Sequence, residues 1–168
     1  MSLVYGDEFV GVTALPETQD IFNQAFNGNT GLTSAENLIL PATTLTYGCY
    51  NAMFQGCTSL TTAPVLPATT LASQCYNMMF KGCTSLTTAP ELPATTLANS
   101  CYTQMFQGCS SLNYIKCLAT NIPEHNCTST WVYGVSSTGT FVKNPNMSSW
   151  EIDSDSGIPN GWTVQDAI

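Results

Sequence analysis

The chain has 168 residues, enough for one domain with a continuous core, and no run in it approaches the ~18–20 apolar residues of a membrane span. Charged residues make up 8% against a usual ~25%, with eleven carboxylates, the three lysines Lys81, Lys116 and Lys143, no arginine and a net charge of −8. That balance argues against nucleic acid or an anionic membrane as partner, since both require a basic surface.

The opening segment, MSLVYGDEF, shows neither the basic nor the apolar region of a signal peptide. Ala14-Leu15-Pro16-Glu17-Thr18 echoes a later Leu-Pro-Ala-Thr-Thr, so residues 1–20 read as an N-terminal cap over a stack of repeats. Residues 21–143 hold those repeats. A degenerate copy, Ile21 to Gly48, precedes CYNAMFQGCTSLTTAPVLPATTLASQ (Cys49–Gln74) and CYNMMFKGCTSLTTAPELPATTLANS (Cys75–Ser100), which agree at 21 of 26 positions. A further copy opens as CYTQMFQGCSSL at Cys101, and the spacing carries on to Cys127. The first copy is two residues longer between Leu32 and Pro41, which predicts a bulge or a longer loop there.

A period of 26 residues falls within the ~20–29 of leucine-rich repeats, whose short units bury a common core only by stacking. The local signals predict one short strand and one short helical segment per coil. Leu60-Thr61-Thr62-Ala63 is β-prone, with Pro64 limiting it. Ser73 or Asn99 caps a helical segment, Gln74–Lys81 or Ser100–Gln107, that Gly82 or Gly108 ends. Cys75, Met79 and Phe80 then form a one-sided apolar stripe. The last repeat strand is expected at Thr140–Lys143, and residues 144–168 at a C-terminal hairpin cap in which Trp150 and Trp162 flank a polar turn. The expected fold is therefore α/β, a single leucine-rich-repeat solenoid of about 4–5 coils of about 26 residues, with short parallel strands and helical turns, capped at both ends. Its repeat core is expected to comprise Phe54, Cys57, Leu60, Leu66, Leu71, Cys75, Phe80, Cys83, Leu86, Leu92, Leu97, Cys101, Phe106, Cys109, Leu112 and Cys127.

Met79-Phe80, Cys83, Leu86 and Leu92-Pro93, with their equivalents in the other coils, resemble the BspA-like (Treponema pallidum-type) leucine-rich repeats of bacterial surface proteins. The resemblance covers about Ile21 to Lys143. This chain departs from it in the length of the unit and in the extra cysteines at 49, 75, 101 and 127. What the resemblance implies is an adhesion or protein-binding role at the cell surface or in secretion.

No constellation of catalytic residues stands out. Cys49, Cys75, Cys101 and Cys127 share one repeat position and Cys57, Cys83 and Cys109 another, so they form rows rather than a converging metal set, and read as buried thiols. Cys117 stands where Val65 and Glu91 do, which predicts an outward, reactive thiol. Asp153-Ser154-Asp155-Ser156-Gly157 has part of a calcium-loop spacing, but Val164 stands where the closing acid belongs, so a solvated turn is expected. His125, the sole histidine, has only Glu124 beside it, and no triad or metal set can be assembled from them. The chain thus reads as a non-enzyme with no metal and no cofactor.

Positions that differ between copies (52/78/104, 55/81/107 and 65/91/117) are expected to face outward. Thr61, Thr62, Thr87, Thr88, Glu91, Asn113 and Tyr114 are expected to line the exposed sheet face and to carry binding, while Tyr50, Tyr76 and Tyr102 form a column on or beneath the helical side. The functional expectation is a macromolecular binding module recognising host or microbial proteins or glycans. The alternative is a structural segment of a larger surface or phage-tail-like assembly with no ligand of its own. A redox or metal-binding protein, the third reading, requires thiols that react in the native state.

Overall fold

The segment that opens each repeat sends its amides in two directions. From Gly48 to Cys57, the amides of Asn51, Met53, Gln55 and Cys57 turn back on the carbonyls of Gly48, Tyr50, Ala52 and Phe54, at 2.9–3.3 Å. The amides between them, on Tyr50, Ala52, Phe54 and Gly56, reach the carbonyls of Cys75, Asn77, Met79 and Lys81 in the next repeat at 2.8–3.0 Å. The computed structural model, which describes residues 19–123, 126–147 and 150–168, shows the same alternation from Gln74 to Cys83 and from Ser100 to Cys109. The backbone of one coil is thereby stitched to that of the next.

This overturns the expected α/β class and, with it, the leucine-rich-repeat solenoid with helical turns. A helix requires every amide to bond four residues back. Here the in-chain bonds span three residues, alternate amides leave the segment, and every fourth residue is left-handed. Gly48, Ala52 and Gly56 have φ of 59°, 53° and 73°, and Gln74, Met78 and Gly82 have 58°, 56° and 76°. Among the described residues there is no helix, so Gln74–Lys81 and Ser100–Gln107 are chains of tight turns. The apolar spacing misled because a turn chain that reverses every four residues also buries Tyr76, Met79, Phe80 and Cys83 on one side. Gly82 and Gly108, read from the sequence as helix ends, are instead the last left-handed residues of each turn chain.

Regular strands are equally sparse. The strands β1 (Tyr114–Cys117), β2 (Thr140–Lys143) and β3 (Thr163–Asp166) form one parallel sheet in the order β1-β2-β3. Tyr114 pairs with Thr140 and Thr140 with Thr163. The earlier repeats, expected to carry strands near Leu60–Ala63, contribute only isolated parallel bridges such as Ser34–Thr62 and Thr44–Thr70. Proline is the reason. Pro64 and Pro67, then Pro90 and Pro93, remove the donors a continuous ladder needs, whereas Tyr114–Cys117 carries none. The two extra residues of the first copy fall between its bridges: Ser34 to Thr44 is ten steps where Thr62 to Thr70 is eight. A turn from Ala35 to Leu38 absorbs them.

Stacking places like residues on like. Phe22, Tyr50, Tyr76, Tyr102, Trp131 and Trp150 form one column of stacked rings with centroids 5.5–6.1 Å apart. Phe26, Phe54, Phe80 and Phe106 form a second, at 5.3–5.8 Å. The rings lie offset and near parallel, the arrangement aromatic quadrupoles favour. The sequence-expected core residues are buried, except Leu71, which is partly buried. Of the outward positions, Ala52 is instead buried at 3% exposure, where the longer Met78 and Gln104 at the same place in the repeat are partly buried.

At the C-terminal end the chain turns tightly between Glu151 and Ile158, with the Asp153 amide on the Ile158 carbonyl and the Ile158 amide on that of Glu151. It then adds β3 parallel to β2. Where an antiparallel hairpin was expected, the segment supplies another rung of the stack. Trp162 anchors it by donating its indole N–H to the Ser136 carbonyl at 2.8 Å. Residues 1–18 of the expected N-terminal cap, together with Glu124 and His125, lie outside the described residues.

Candidate binding face

Stacking turns the paired threonines of the repeat into rows. One row runs through the bridged pairs Ser34–Thr62 and Thr88–Tyr114 and on through Thr140 and Thr163. Thr62 and Thr88 are exposed on it and Tyr114 is partly buried, while Thr61, Thr87, Glu91 and Asn113 are exposed at neighbouring positions of the chain. Of the seven residues expected from the sequence to line one face, the pairings align Thr62, Thr88 and Tyr114. A second row was not foreseen: Thr44–Thr70 and Thr96–Asn121 are bridged in the same way and all four are exposed. Its signal was present in the Ala-Thr-Thr-Leu that closes each repeat, which reads as loop beside the more β-prone Leu-Thr-Thr-Ala.

Not every threonine is available to a ligand. Thr61 donates its hydroxyl to the Thr33 carbonyl at 2.9 Å, Thr84 to that of Thr58 at 3.2 Å, and Thr120 to that of Thr95 at 3.3 Å. These hydroxyls tie one coil to the previous one, and for Thr61 and Thr120 they share the carbonyl that the residue's own amide already reaches. Glu91 is occupied too, in an exposed ion pair with Lys116 at 3.1 Å that contributes at most ~1 kcal/mol and removes a free charge from the face. In sequence between the rows, Pro64, Val65, Pro67, Pro90 and Pro93 line an apolar groove of about 460 Å³, and Val65 is 73% exposed. The Glu91–Lys116 pair thus leaves no net charge there, and the proline strip, with Glu91 at its wall, falls between the threonine rows along the chain.

The thiols have no place on it. All eight cysteines are buried. Cys57, Cys83 and Cys109 donate their S–H groups to the carbonyls of Phe26, Phe54 and Phe80 at 3.0–3.1 Å. Cys117, expected outward and reactive, is fully buried, and burial pushes its thiol up to about 12. Cys49, Cys101 and Cys109 are pushed up to about 12 by the same cause. A nucleophilic or metal-binding cysteine needs the opposite shift. Among the described residues no cluster of three His, Cys, Asp or Glu side chains is arranged to hold a metal.

Asp153 is held in the turn that its sequence suggested. Its Oδ1 accepts the amides of Asp155, Ser156 and Gly157 at 2.6, 2.6 and 3.1 Å. Burial pushes this carboxyl up, but the three amides together outweigh it and hold the group below its ordinary range. One oxygen of the would-be calcium loop is thus committed to the backbone.

A scan against protein-family models, a search of curated proteins and a search of solved structures each return no match to this chain.

Proposed function

We propose that the chain is a non-enzymatic binding module, displayed at a cell surface or secreted, whose threonine rows engage a protein or a carbohydrate. The observation that carries this reading is the exposed, uncharged face formed by Thr62, Thr88 and Tyr114 with Thr70 and Thr96 beside it. A hydroxyl that donates and accepts beside a methyl suits partners recognised by shape and hydrogen bonding rather than by charge. The non-enzymatic part rests on the chemistry of the side chains. Their thiols are buried and hard to ionise, and the face carries neither a general base nor a free carboxylate.

The test is to screen the chain against immobilised extracellular proteins and glycans, beside a variant in which Thr62, Thr88 and Tyr114 are replaced by glutamate. The variant is expected to fold like the parent and lose binding. Binding that survives the substitutions removes this face from the account, and a panel on which the parent binds nothing contradicts the reading itself. Protease treatment of intact source cells checks the location: a surface protein is cut, whereas one protected until lysis is not displayed.

A further inference from the structure

The first aromatic column does not end in the core. Its last ring, Trp150, stacks on Trp131 at 5.6 Å and 10°. Phe141 stands across both indoles, 6.1 Å from Trp131 and 5.5 Å from Trp150, at 77° and 67°. Three nearly equal sides place Phe141 beside the indole pair, because a ring lying over the outer face of Trp150 would be about twice as far from Trp131. Trp150 is only partly buried, and among the described residues no ring covers its outer face. It lines a cavity of about 390 Å³, within the ~300–1,000 Å³ typical of small-ligand sites.

Ile122, Pro123 and Met147 add apolar wall, and the rest of the lining is polar. Asn121 and Thr128 bring an amide and a hydroxyl, and Glu151 and Asp153 bring carboxylates. The wall is pre-organised. Trp131 donates its indole N–H to the Gly157 carbonyl at 2.9 Å, the Val132 amide reaches the Asp155 carbonyl at 3.3 Å, and three amides fix Asp153 through Oδ1, leaving Oδ2 as its remaining acceptor. We infer that this cavity, which meets the threonine rows only at Asn121, is a binding site for one ring of a neutral saccharide. The C–H face of a sugar carries partial positive charge and suits the negative face of an indole, while carboxylate, amide and threonine groups match its hydroxyls. Competing ligand classes fit less well. Phosphates and other anions meet two carboxylates and no cationic side chain in the lining, and a quaternary amine seeks several rings where the cavity has one.

The probes are methyl glycosides of glucose, galactose, mannose and N-acetylglucosamine, titrated into the whole chain by calorimetry and followed by NMR of the indole N–H groups. At least one is expected to bind at a single site and to shift Trp150 while leaving Trp162 in place. Asn121→Ala and Glu151→Gln are each expected to weaken that binding about tenfold or more. The glutamate variant of the threonine face is expected to leave it unchanged, which separates failure of this site from failure of that face. The inference is overturned if none of the four glycosides binds, if the shifts spare Trp150, or if binding survives both substitutions.

Discussion

Leu92 and Cys117 pair across a parallel bridge, although the residue 26 positions beyond Leu92 is Leu118. Tyr114 to Cys117 is three steps where Thr88 to Leu92 is four, so this copy has lost one residue within the strand. Asn121 to Cys127 is six steps where Thr96 to Cys101 is five, and the register is restored before the next turn chain. The slip rotates Cys117 from the outward place of Glu91 into the buried place of Leu92, and sets Lys116 beside Glu91. Alkylation of the native protein is accordingly expected to leave Cys117 unmodified on the timescale on which denatured chain reacts fully. Mass spectrometry of labelled peptides checks this, and rapid native labelling at Cys117 would place the thiol outside the core.

Buried thiols also set an alkaline limit on stability. The ordinary thiol value is 9.0, and Cys49, Cys101, Cys109 and Cys117 are pushed to about 12 in the fold. Below 9.0 both states keep their protons and the thiols contribute no pH dependence. Above it the unfolded chain ionises while the folded one does not, so stability falls as pH rises from about 9 toward about 12. Each such thiol adds a slope of up to ~1.4 kcal/mol per pH unit. Urea midpoints across that range are expected to drop steeply, and a flat profile would mean that the thiols are solvated.

Tyr50 lies at 1% exposure with its hydroxyl buried and no hydrogen-bond partner. Phenylalanine keeps the ring between Phe22 and Tyr76 and removes the unsatisfied group. Tyr50→Phe is expected to raise stability by about 1 kcal/mol, read as a higher Tm. A loss of stability would show that the hydroxyl has a partner in solution.

Much of this was legible in the sequence and some was not, for separable physical reasons. The repeat marks which residues are equivalent, so Phe80, Cys83, Leu86 and Leu92 could be placed in the core whatever the backbone did. It does not report where the amides go. Cys75, Met79 and Phe80 fit a helical stripe, and only the partners of Met78 and Phe80, the carbonyls of Thr103 and Met105, reveal a turn chain. Thr140–Lys143 was found as a strand by counting, whereas Thr163–Asp166 was mistaken for one arm of a hairpin because Pro159-Asn160-Gly161 is a strong turn signal in either arrangement. On the candidate face, Thr62 and Thr88 were legible from the β-prone Leu-Thr-Thr-Ala, but Thr70 and Thr96 were hidden in a stretch that proline makes look irregular. The cavity at Trp150 joins residues spread from Thr120 to Gly157, and no pattern announces it.

The C-terminal turn has its own pH signature. Asp153 owes its lowered pKa to three amides that prevail over burial, so its contribution is present above the unfolded value of 3.8 and is lost as pH falls through the folded one. Asp153→Ala is expected to cost about 1 kcal/mol at neutral pH, as loss of a capping carboxylate does. That gap is expected to close in acid, where the parent is protonated as well. Chemical denaturation of both proteins at pH 7 and at successive steps below 3.8 reads it, and a gap that stays the same throughout would mean that the carboxylate is not what holds the turn.

The account stands on a backbone of turn chains whose every fourth residue is left-handed, and position 78 tests it most directly. Met78 has φ of 56°, and its amide reaches the Thr103 carbonyl of the next coil at 2.9 Å. Met78→Ala and Met78→Gly remove nearly the same side chain and differ in one respect, the freedom to adopt positive φ. In this geometry glycine is expected to be the more stable of the two by about 1 kcal/mol, read by thermal or urea unfolding of the pair. Within a helix the order reverses by a similar ~1 kcal/mol. Alanine proving the more stable would contradict the turn chain, and with it the stacking that sets Thr62, Thr88 and Tyr114 on one face.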